Sequence, residues 1–141
     1  ILEITETGAM TDTSLTMDIL TRFRLKGFGL SIDDFGTGYS SLIQLHRMPF
    51  NEMKIDRSFV MELIDNEESK KIVSSIAGLG HSLGLSLCAE GIEDEEALMF
   101  LRSLECETGQ GYLISRPVPP AEMAELVFAS ASKSGWNRPP A

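Results

Sequence analysis

The chain of 141 residues has the length of a single domain. Its composition, 43% hydrophobic and 23% charged, is that of a chain that collapses around a core. Lys and Arg number 12 against 21 Asp and Glu, and the net charge of −9 argues against a DNA partner and against docking on anionic lipid. An anionic substrate remains compatible with this charge if metal ions supply the missing positive charge.

The start of the chain and its two cysteines indicate where the protein is located. No apolar run approaches the roughly 18–20 residues that span a bilayer. The start, Ile1-Leu2-Glu3-Ile4, has neither an initiator Met nor a basic region and resembles the middle of a strand, so we expect a piece of a longer protein. Cys88 and Cys106 form no CxxC pair, which favours the reducing cytoplasm, although the parent protein could carry a membrane-anchored sensor upstream.

Short apolar runs alternate with helix-like segments along the chain. Apolar, β-branched runs predict strands, while helical spacing and capping residues predict helices. In chain order the pattern predicts a strand over 1–5, a helix over 11–26, a strand over 28–32, a short helix before 49, a strand over 52–56, a helix over 69–84, a strand over 85–89, a helix over 94–104, a strand over 108–114, a helix over 120–129 and a flexible tail over 130–141. Five strands alternating with helices predict a parallel sheet, either open and doubly wound or part of a closed barrel.

Polar residues fall at or near an end of each predicted strand. They are Glu3 with Glu6, Asp33 with Asp34, Lys54, Glu90 and Gln110, although Gln110 precedes an apolar run rather than following one. The gaps of 20 to 36 residues between them each fit one βα unit. Because the carboxyl ends of parallel strands lie on one rim, where ligands bind, we expect these side chains to converge on one site.

The residue types that converge indicate the chemistry. Clustered carboxylates repel unless cations or protons sit between them, and their hard oxygens suit Mg²⁺, Mn²⁺ or Ca²⁺ rather than zinc. Two ions roughly 3.5–4 Å apart would neutralise the cluster, activate a water and hold a phosphate, and a nearby lysine would orient that water. The alternative is that these are solvated charges. Asp33 and Asp34 can serve one site only if the strand ends there, which Gly36 and Gly38 favour.

Five ordered motifs together resemble the C-terminal part of an EAL domain, the bacterial cyclic di-GMP phosphodiesterase module. The resemblance extends to about residue 129 and rests on Leu2-Glu3-Ile4-Thr5-Glu6, on 33–42 (Asp-Asp-Phe-Gly-Thr-Gly-Tyr-Ser-Ser-Leu), on Lys54-Ile55-Asp56, on Glu90-Gly91-Ile92-Glu93 and on Gln110-Gly111-Tyr112 running into Arg116-Pro117. It implies a TIM-like (β/α) barrel of about 250 residues. This chain would be a partial barrel of about five βα units, with 1–129 as the C-terminal portion of the domain.

The resemblance also implies a metal centre. Glu3, Asp33 and Asp34 would be metal ligands, with Asp33 shared between two Mg²⁺ or Mn²⁺ ions. Lys54 would lie beside the attacking water, and Glu90 would act on the second metal or its water. These assignments imply a metal-dependent phosphodiesterase that hydrolyses cyclic di-GMP to the linear dinucleotide.

Two further residues match the family motifs at the edge of this centre. Gln110 corresponds to the amide near the reacting phosphate. Glu6 corresponds to a glutamate that steadies the loop from Asp33 to Ser41, which the family ties to dimerisation, so we expect a homodimer. A loop with two glycines needs such an anchor before it can hold Asp34 in place.

Parts of the family pattern lie upstream of Ile1. These are the Glu-Ala-Leu signature, an asparagine of the first metal site and roughly three βα units. We therefore expect the parent protein, with the rest of the barrel and a regulatory domain, to be active and this segment alone to be inactive. Two alternatives stay open: a receptor module that binds cyclic di-GMP without cleaving it, and a dimerisation fragment without ligand.

Overall fold

The computed structural model describes residues 1–10, 13–36 and 42–130. The strands are β1 (Leu2–Thr5), β2 (Leu30–Phe35), β3 (Glu52–Ile55), β4 (Ser86–Ala89) and β5 (Thr108–Gly109). The helices are α1 (Glu6–Met10), α2 (Thr13–Leu25), α3 (Leu42–Arg47), α4 (Arg57–Met61), α5 (Glu67–Ser82), α6 (Glu95–Ser103) and α7 (Pro120–Ser130). All neighbouring strands pair in parallel and lie in chain order, β1-β2-β3-β4-β5. This arrangement is that of a section of a (β/α) barrel.

The register of the sheet separates an apolar face from a polar one. Ile32, Met53 and Leu87 are neighbours across β2, β3 and β4, and all three are fully buried against the helices. The opposite face carries mostly polar residues that are aligned in the same way: Glu3, Ser31, Asp33, Glu52, Lys54, Ser86, Cys88 and Thr108. We call this set the polar face of the sheet. It places the chemistry-bearing residues of five strands on one side of the molecule.

Helix α5 shows how the sequence fixes the helical layer to the apolar face. Asn66 caps its start, because its side chain accepts hydrogen bonds from the backbone N–H groups of Glu68 and Ser69. Gly80 lets the helix approach β4 closely, since a Cβ at this position would lie only 2.5 Å from Leu87 Cδ2. The helix therefore holds the apolar side of β4 while the polar side stays available to the site.

The predicted elements are found in the predicted order, with three differences. The short helices α1 and α4 were not predicted, and β2 begins and ends later than the strand expected over 28–32. The prediction of a strand over 108–114 is wrong beyond Gly109, where β5 ends. The backbone turns after this residue, and Leu113 N donates a hydrogen bond to Ile92 O at 3.0 Å. The first two residues of the helix predicted over 11–26, part of the glycine loop (37–41) and all of the predicted tail except Ser130 lie outside the described residues.

The cysteines and the length of the helices are two further features of the fold. Cys88 and Cys106 are both buried free thiols. In the portion of the chain that the structure describes, none of the helices combines the length and the apolar character needed to cross a membrane.

Candidate active site at the carboxyl ends of the strands

The side chain of Lys54 lies at the centre of the residues that the sequence singles out. Its Nζ is 3.0 Å from Glu3 Oε1 and 3.4 Å from Asp33 Oδ1, and it contacts Glu90 Oε1. Gln110 Nε2 donates a hydrogen bond to the same oxygen of Glu90 at 2.7 Å. Five residues that are far apart in sequence, contributed by the five strands or the residues directly after them, therefore meet at one place.

The environment of Lys54 keeps its ammonium group charged. The Lys54 side chain is only 4% exposed, and burial alone would lower its pKa. Hydrogen bonds to Glu90 and Glu3 and the attraction of Glu90 and Asp33 outweigh burial, so the pKa of Lys54 is raised above its ordinary value. At neutral pH this group is a hydrogen-bond donor and a counter-ion, and it has no lone pair with which to accept a proton.

The Asp33-Asp34 pair depends on an irregularity in β2. The register between β2 and β3 shifts between Ile32 and Phe35, and Asp34 adopts a left-handed backbone with φ 56°. Its N–H donates to Asp33 Oδ1 at 3.0 Å. The expectation that the strand ends at these residues is thus wrong: β2 continues to Phe35, and the left-handed residue interrupts the alternation of faces instead.

Asp34 lies in a region of surplus negative charge. Burial raises its pKa, and the neighbouring carboxylates of Asp33 and Asp56 raise it further, while Lys54 lowers it. Asp56 also exchanges a side-chain hydrogen bond with Asp34. Asp56 was not among the predicted site residues, although its position directly after β3 and two residues from Lys54 is the same signal that identified the others.

Glu6 contacts the start of the glycine loop. Gly36 N donates to Glu6 Oε2 at 3.1 Å, and Glu6 is 3% exposed. Gly36 has a φ of 97°, a conformation that favours glycine, so the loop leaves β2 in a direction that a side chain would oppose. This hydrogen bond is the kind of contact expected of the loop anchor, although residues 37–41 are outside the described part of the chain.

A sequence profile of the EAL domain matches residues 1–117. The chain belongs to the EAL domain family. One relative is the bifunctional diguanylate cyclase/cyclic di-GMP phosphodiesterase MucR of Pseudomonas aeruginosa, which is 47% identical over 132 residues, covering 94% of this chain and 19% of MucR. The EAL chain therefore spans about a fifth of the length of this curated relative.

Solved EAL structures share the fold. The phosphodiesterase part of P. aeruginosa MucR, in complex with cyclic di-GMP, superposes with a TM-score of 0.84 at 47% identity, covering 86% of this chain and 49% of that one. Klebsiella pneumoniae BlrP1, in complex with manganese and cyclic di-GMP, superposes with a TM-score of 0.74 at 36% identity, covering 82% and 29%. The prediction of a partial TIM-like barrel is confirmed.

Carboxylate oxygens, the donors of this EAL chain's site, are of the type that suits a hard divalent cation, but in this structure they surround an ammonium group. Among the described residues, no three His, Cys, Asp or Glu side chains stand together in a geometry that could hold one ion. The space between Glu3, Asp33 and Glu90 is taken by the Lys54 ammonium. One cation among these carboxylates and Asp34 leaves excess negative charge, and oxygen ligands of this kind suit Mg²⁺ or Mn²⁺.

Beyond Glu90 and Gln110, a pocket of about 660 Å³ opens next to the site. Its wall includes Arg57, Tyr112 and Arg116, none of which was a predicted site residue. The signal that could have found them is their position: Arg57 comes three residues after Lys54, and Tyr112 comes two residues after Gln110. Each follows a strand end that already carried a candidate residue.

Proposed function

We propose that the protein containing this chain is a divalent-metal-dependent phosphodiesterase that hydrolyses cyclic di-GMP to the linear dinucleotide. The observation that carries the proposal is the convergence of Glu3, Asp33 and Glu90 on Lys54 at the carboxyl ends of parallel strands. Membership of the EAL family and the name of the MucR relative support the choice of substrate. Because the chain covers about half of the MucR phosphodiesterase structure, the activity is proposed for the complete protein.

Metal binding in this proposal falls to the acidic residues at the ends of β1 and β2. Glu3, Asp33 and Asp34 would hold two Mg²⁺ or Mn²⁺ ions, with Asp33 shared between them. When bound, such ions lower the pKa of water and neutralise the charge of a phosphodiester. Burial and the neighbouring carboxylates of Asp33 and Asp56 raise the pKa of Asp34, and this excess of carboxylates is the local reason for expecting a cation there.

The other residues of the site would position the reacting groups. Lys54, which stays protonated, donates hydrogen bonds and can hold a water or a phosphate oxygen, but it cannot serve as the general base. Glu90 is a carboxylate held from two sides, by Lys54 Nζ and by Gln110 Nε2, and it can accept a proton. Gln110 fixes the orientation of Glu90 and borders the pocket in which the substrate would lie. Glu6 would keep Gly36, and with it the Asp34 end of β2, in place.

The test uses the complete protein and two substitutions that keep side-chain size. We expect Asp34→Asn and Glu90→Gln each to reduce kcat for cyclic di-GMP in Mn²⁺ or Mg²⁺ by at least about a hundredfold, because a metal ligand or a proton acceptor is lost. Formation of the linear dinucleotide, measured by chromatography, gives the rate. Asp18→Asn and Glu67→Gln, which remove exposed carboxylates on α2 and α5, are the matched controls. Retention of most activity in Asp34→Asn or Glu90→Gln would contradict the assigned roles.

The same experiment separates the main alternatives. Calorimetric binding of cyclic di-GMP by the wild-type protein without any product would favour a receptor module. Absence of both binding and turnover, together with self-association, would favour an interaction fragment. The homodimer expected from the family loop is also a proposal, and sedimentation velocity of the complete protein tests it.

A further inference from the structure

The polar face of the sheet carries groups that the proposed hydrolysis does not use, on the side of Lys54 toward the amino ends of the strands. Glu3, Ser31, Glu52 and Ser86 are aligned across β1 to β4. Glu52 precedes Lys54 by two residues, so it shares the same face and lies about 7 Å further from the carboxyl end of β3. Glu3 reaches Lys54 Nζ. The other three residues, Ser31, Glu52 and Ser86, form a separate row that we call the floor of the site.

Two side chains of the floor have no polar partner in the described part of the chain. Ser31 is fully buried, and its Oγ makes no hydrogen bond to any described residue. The carboxylate of Glu52 takes part in none of the ion pairs or side-chain hydrogen bonds of the described residues. Ser86 Oγ donates to the backbone oxygen of Asn51 at 3.1 Å and not to Glu52. Because buried polar groups in folded proteins are normally hydrogen-bonded, Ser31 and Glu52 together indicate a donor from outside this chain.

The negative charge of Glu52 is not balanced by the lysine of the site. The ammonium of Lys54 contacts three other carboxylates, and that of Glu52 is not among them. Burial raises the pKa of the Cys88 thiol, and the charge of Glu52 on the same face adds to this effect. Divalent ions at the carboxyl ends of β1 and β2 would neutralise the carboxylates there and leave the charge of the floor in place.

Closure of the barrel would enclose Glu52. The side chain is partly exposed on a sheet of five strands, and the chain covers 49% of the MucR phosphodiesterase structure. In a closed (β/α) barrel, the inward side chains of all the strands pack against one another. An isolated carboxylate in such an interior is costly unless it is protonated or paired with a cation. The strands that complete the barrel would therefore have to bring positive charge to the floor.

We propose that a basic side chain from a strand outside this chain enters the barrel of the complete protein, pairs with Glu52 and donates a hydrogen bond to Ser31 Oγ. The two acceptors are direct neighbours in the register of β2 and β3, whose backbones lie about 4.8 Å apart. One guanidinium or ammonium group carries several N–H donors and can serve both acceptors. A second copy of this chain presents the same acidic face and would add negative charge. The floor is thus an interface within the barrel and takes no part in hydrolysis.

The test measures thermal unfolding of the EAL domain within the complete protein, in EDTA at neutral pH. We expect Glu52→Gln to lower Tm by at least about 6 °C, because removal of one partner leaves the other charge buried and unpaired. Ser31→Ala should lower Tm by about 2–4 °C through the loss of one hydrogen bond. Glu125→Gln, which removes an exposed carboxylate on α7, is the matched control and should change Tm by less than about 2 °C. An unchanged or higher Tm of either floor variant would overturn the shared contact.

Two further measurements identify the cation and keep the inference testable if Glu52→Gln does not fold. The loss of Tm should be the same in chlorides of Na⁺, K⁺ and tetramethylammonium, and a loss confined to Na⁺ or K⁺ would show a bound ion instead of a side chain. A crystal structure of the wild-type complete protein should place a Lys or Arg nitrogen within about 4 Å of the Glu52 carboxylate, and water or apolar groups alone there would overturn the inference. A complete protein that does not cleave cyclic di-GMP would contradict the proposed function and leave this pairing intact.

Discussion

At the scale of single residues, Lys54 organises the site. It is buried on the polar face of the sheet, and its ammonium is the only cation among Glu3, Asp33 and Glu90 in the described structure. A buried charge of this kind is tolerated only when it is paired, and the carboxylates in turn are kept together only by a cation. The folded site therefore has a built-in counter-ion that allows it to form before any metal binds.

This pairing predicts the behaviour of Lys54→Met. In EDTA at neutral pH we expect the free energy of unfolding to fall by roughly 2–4 kcal/mol, less than for a fully buried pair because Glu3 is half exposed. Since the folded pKa of Lys54 is raised, its stabilisation is fully present below the ordinary value of 10.5 and is lost only as the pH rises through the folded value. Urea unfolding provides the measurement.

Two further measurements test the role of Lys54: the addition of Mn²⁺ and a control substitution of an exposed lysine. Mn²⁺ should raise the Tm of Lys54→Met more than that of the wild type, because the ion replaces the missing positive charge. Lys70→Met, which breaks an exposed pair with Glu67 on α5, should change stability by less than about 1 kcal/mol. If Lys54→Met unfolds at the same urea concentration as the wild type in EDTA, the counter-ion role of Lys54 is wrong.

At the scale of secondary-structure elements, the loops after β4 and β5, rather than the strands themselves, determine where Gln110 lies relative to Glu90. β5 contains only Thr108 and Gly109, and the chain then turns so that Gly111 packs on the backbone of Ile92. The turn places Gln110 next to Glu90. A longer strand would have carried the Gln110 backbone away from the Glu90 loop.

The close contact between Gly111 and the backbone of Ile92 predicts that a single added methyl group has a large effect on stability. Gly111→Ala should lower the free energy of unfolding by roughly 2–3 kcal/mol, because the new Cβ would lie 2.1 Å from Ile92 O and the backbone must move. Gly78→Ala on α5 meets nothing within 4 Å and should stabilise the protein by about 1 kcal/mol through helix propensity. Thermal unfolding of the two variants tests the pair. Similar shifts in Tm for both would show that the two loops are not in close contact.

At the scale of the whole molecule, the described sheet has two strands that pair on one side only, β1 and β5. Helix α2 exposes an apolar stripe in which Leu15 is 58%, Ile19 42% and Phe23 37% exposed. Edge strands and apolar stripes of this kind promote association. In a closed barrel both would be covered by neighbouring βα units.

We therefore expect the 141-residue chain, expressed alone, to form assemblies larger than a dimer, and the complete EAL domain to go no further than the proposed homodimer. Sedimentation velocity over a range of concentrations gives the measurement. The double variant Ile19→Asp, Phe23→Asp should shift the isolated chain toward smaller species, because charge on the stripe opposes its burial. A monodisperse monomer of the isolated chain would contradict this expectation.

The sequence was sufficient for the order of strands and helices and for the residues that meet at Lys54, because strand-end residues in parallel βα units must share one rim. It did not reveal α1 or α4, since five-residue helices are too short to show a helical period. The early end of β5 depends on the packing of Gly111 against Ile92, which is a tertiary contact. The ion pairs of Lys54 and the pocket around Arg116 likewise depend on distances in the folded chain, and the number of residues between two positions does not give those distances.

The left-handed backbone of Asp34 has a consequence for how such a site persists. This residue combines an unfavourable conformation with repulsion from Asp33 and Asp56. Glycine at this position would relieve both, and asparagine would relieve the repulsion alone, so a change that would impair the proposed metal site would also relax the fold. If the proposed hydrolysis were no longer under selection, replacement of Asp34 would be expected to raise the free energy of unfolding while removing the activity.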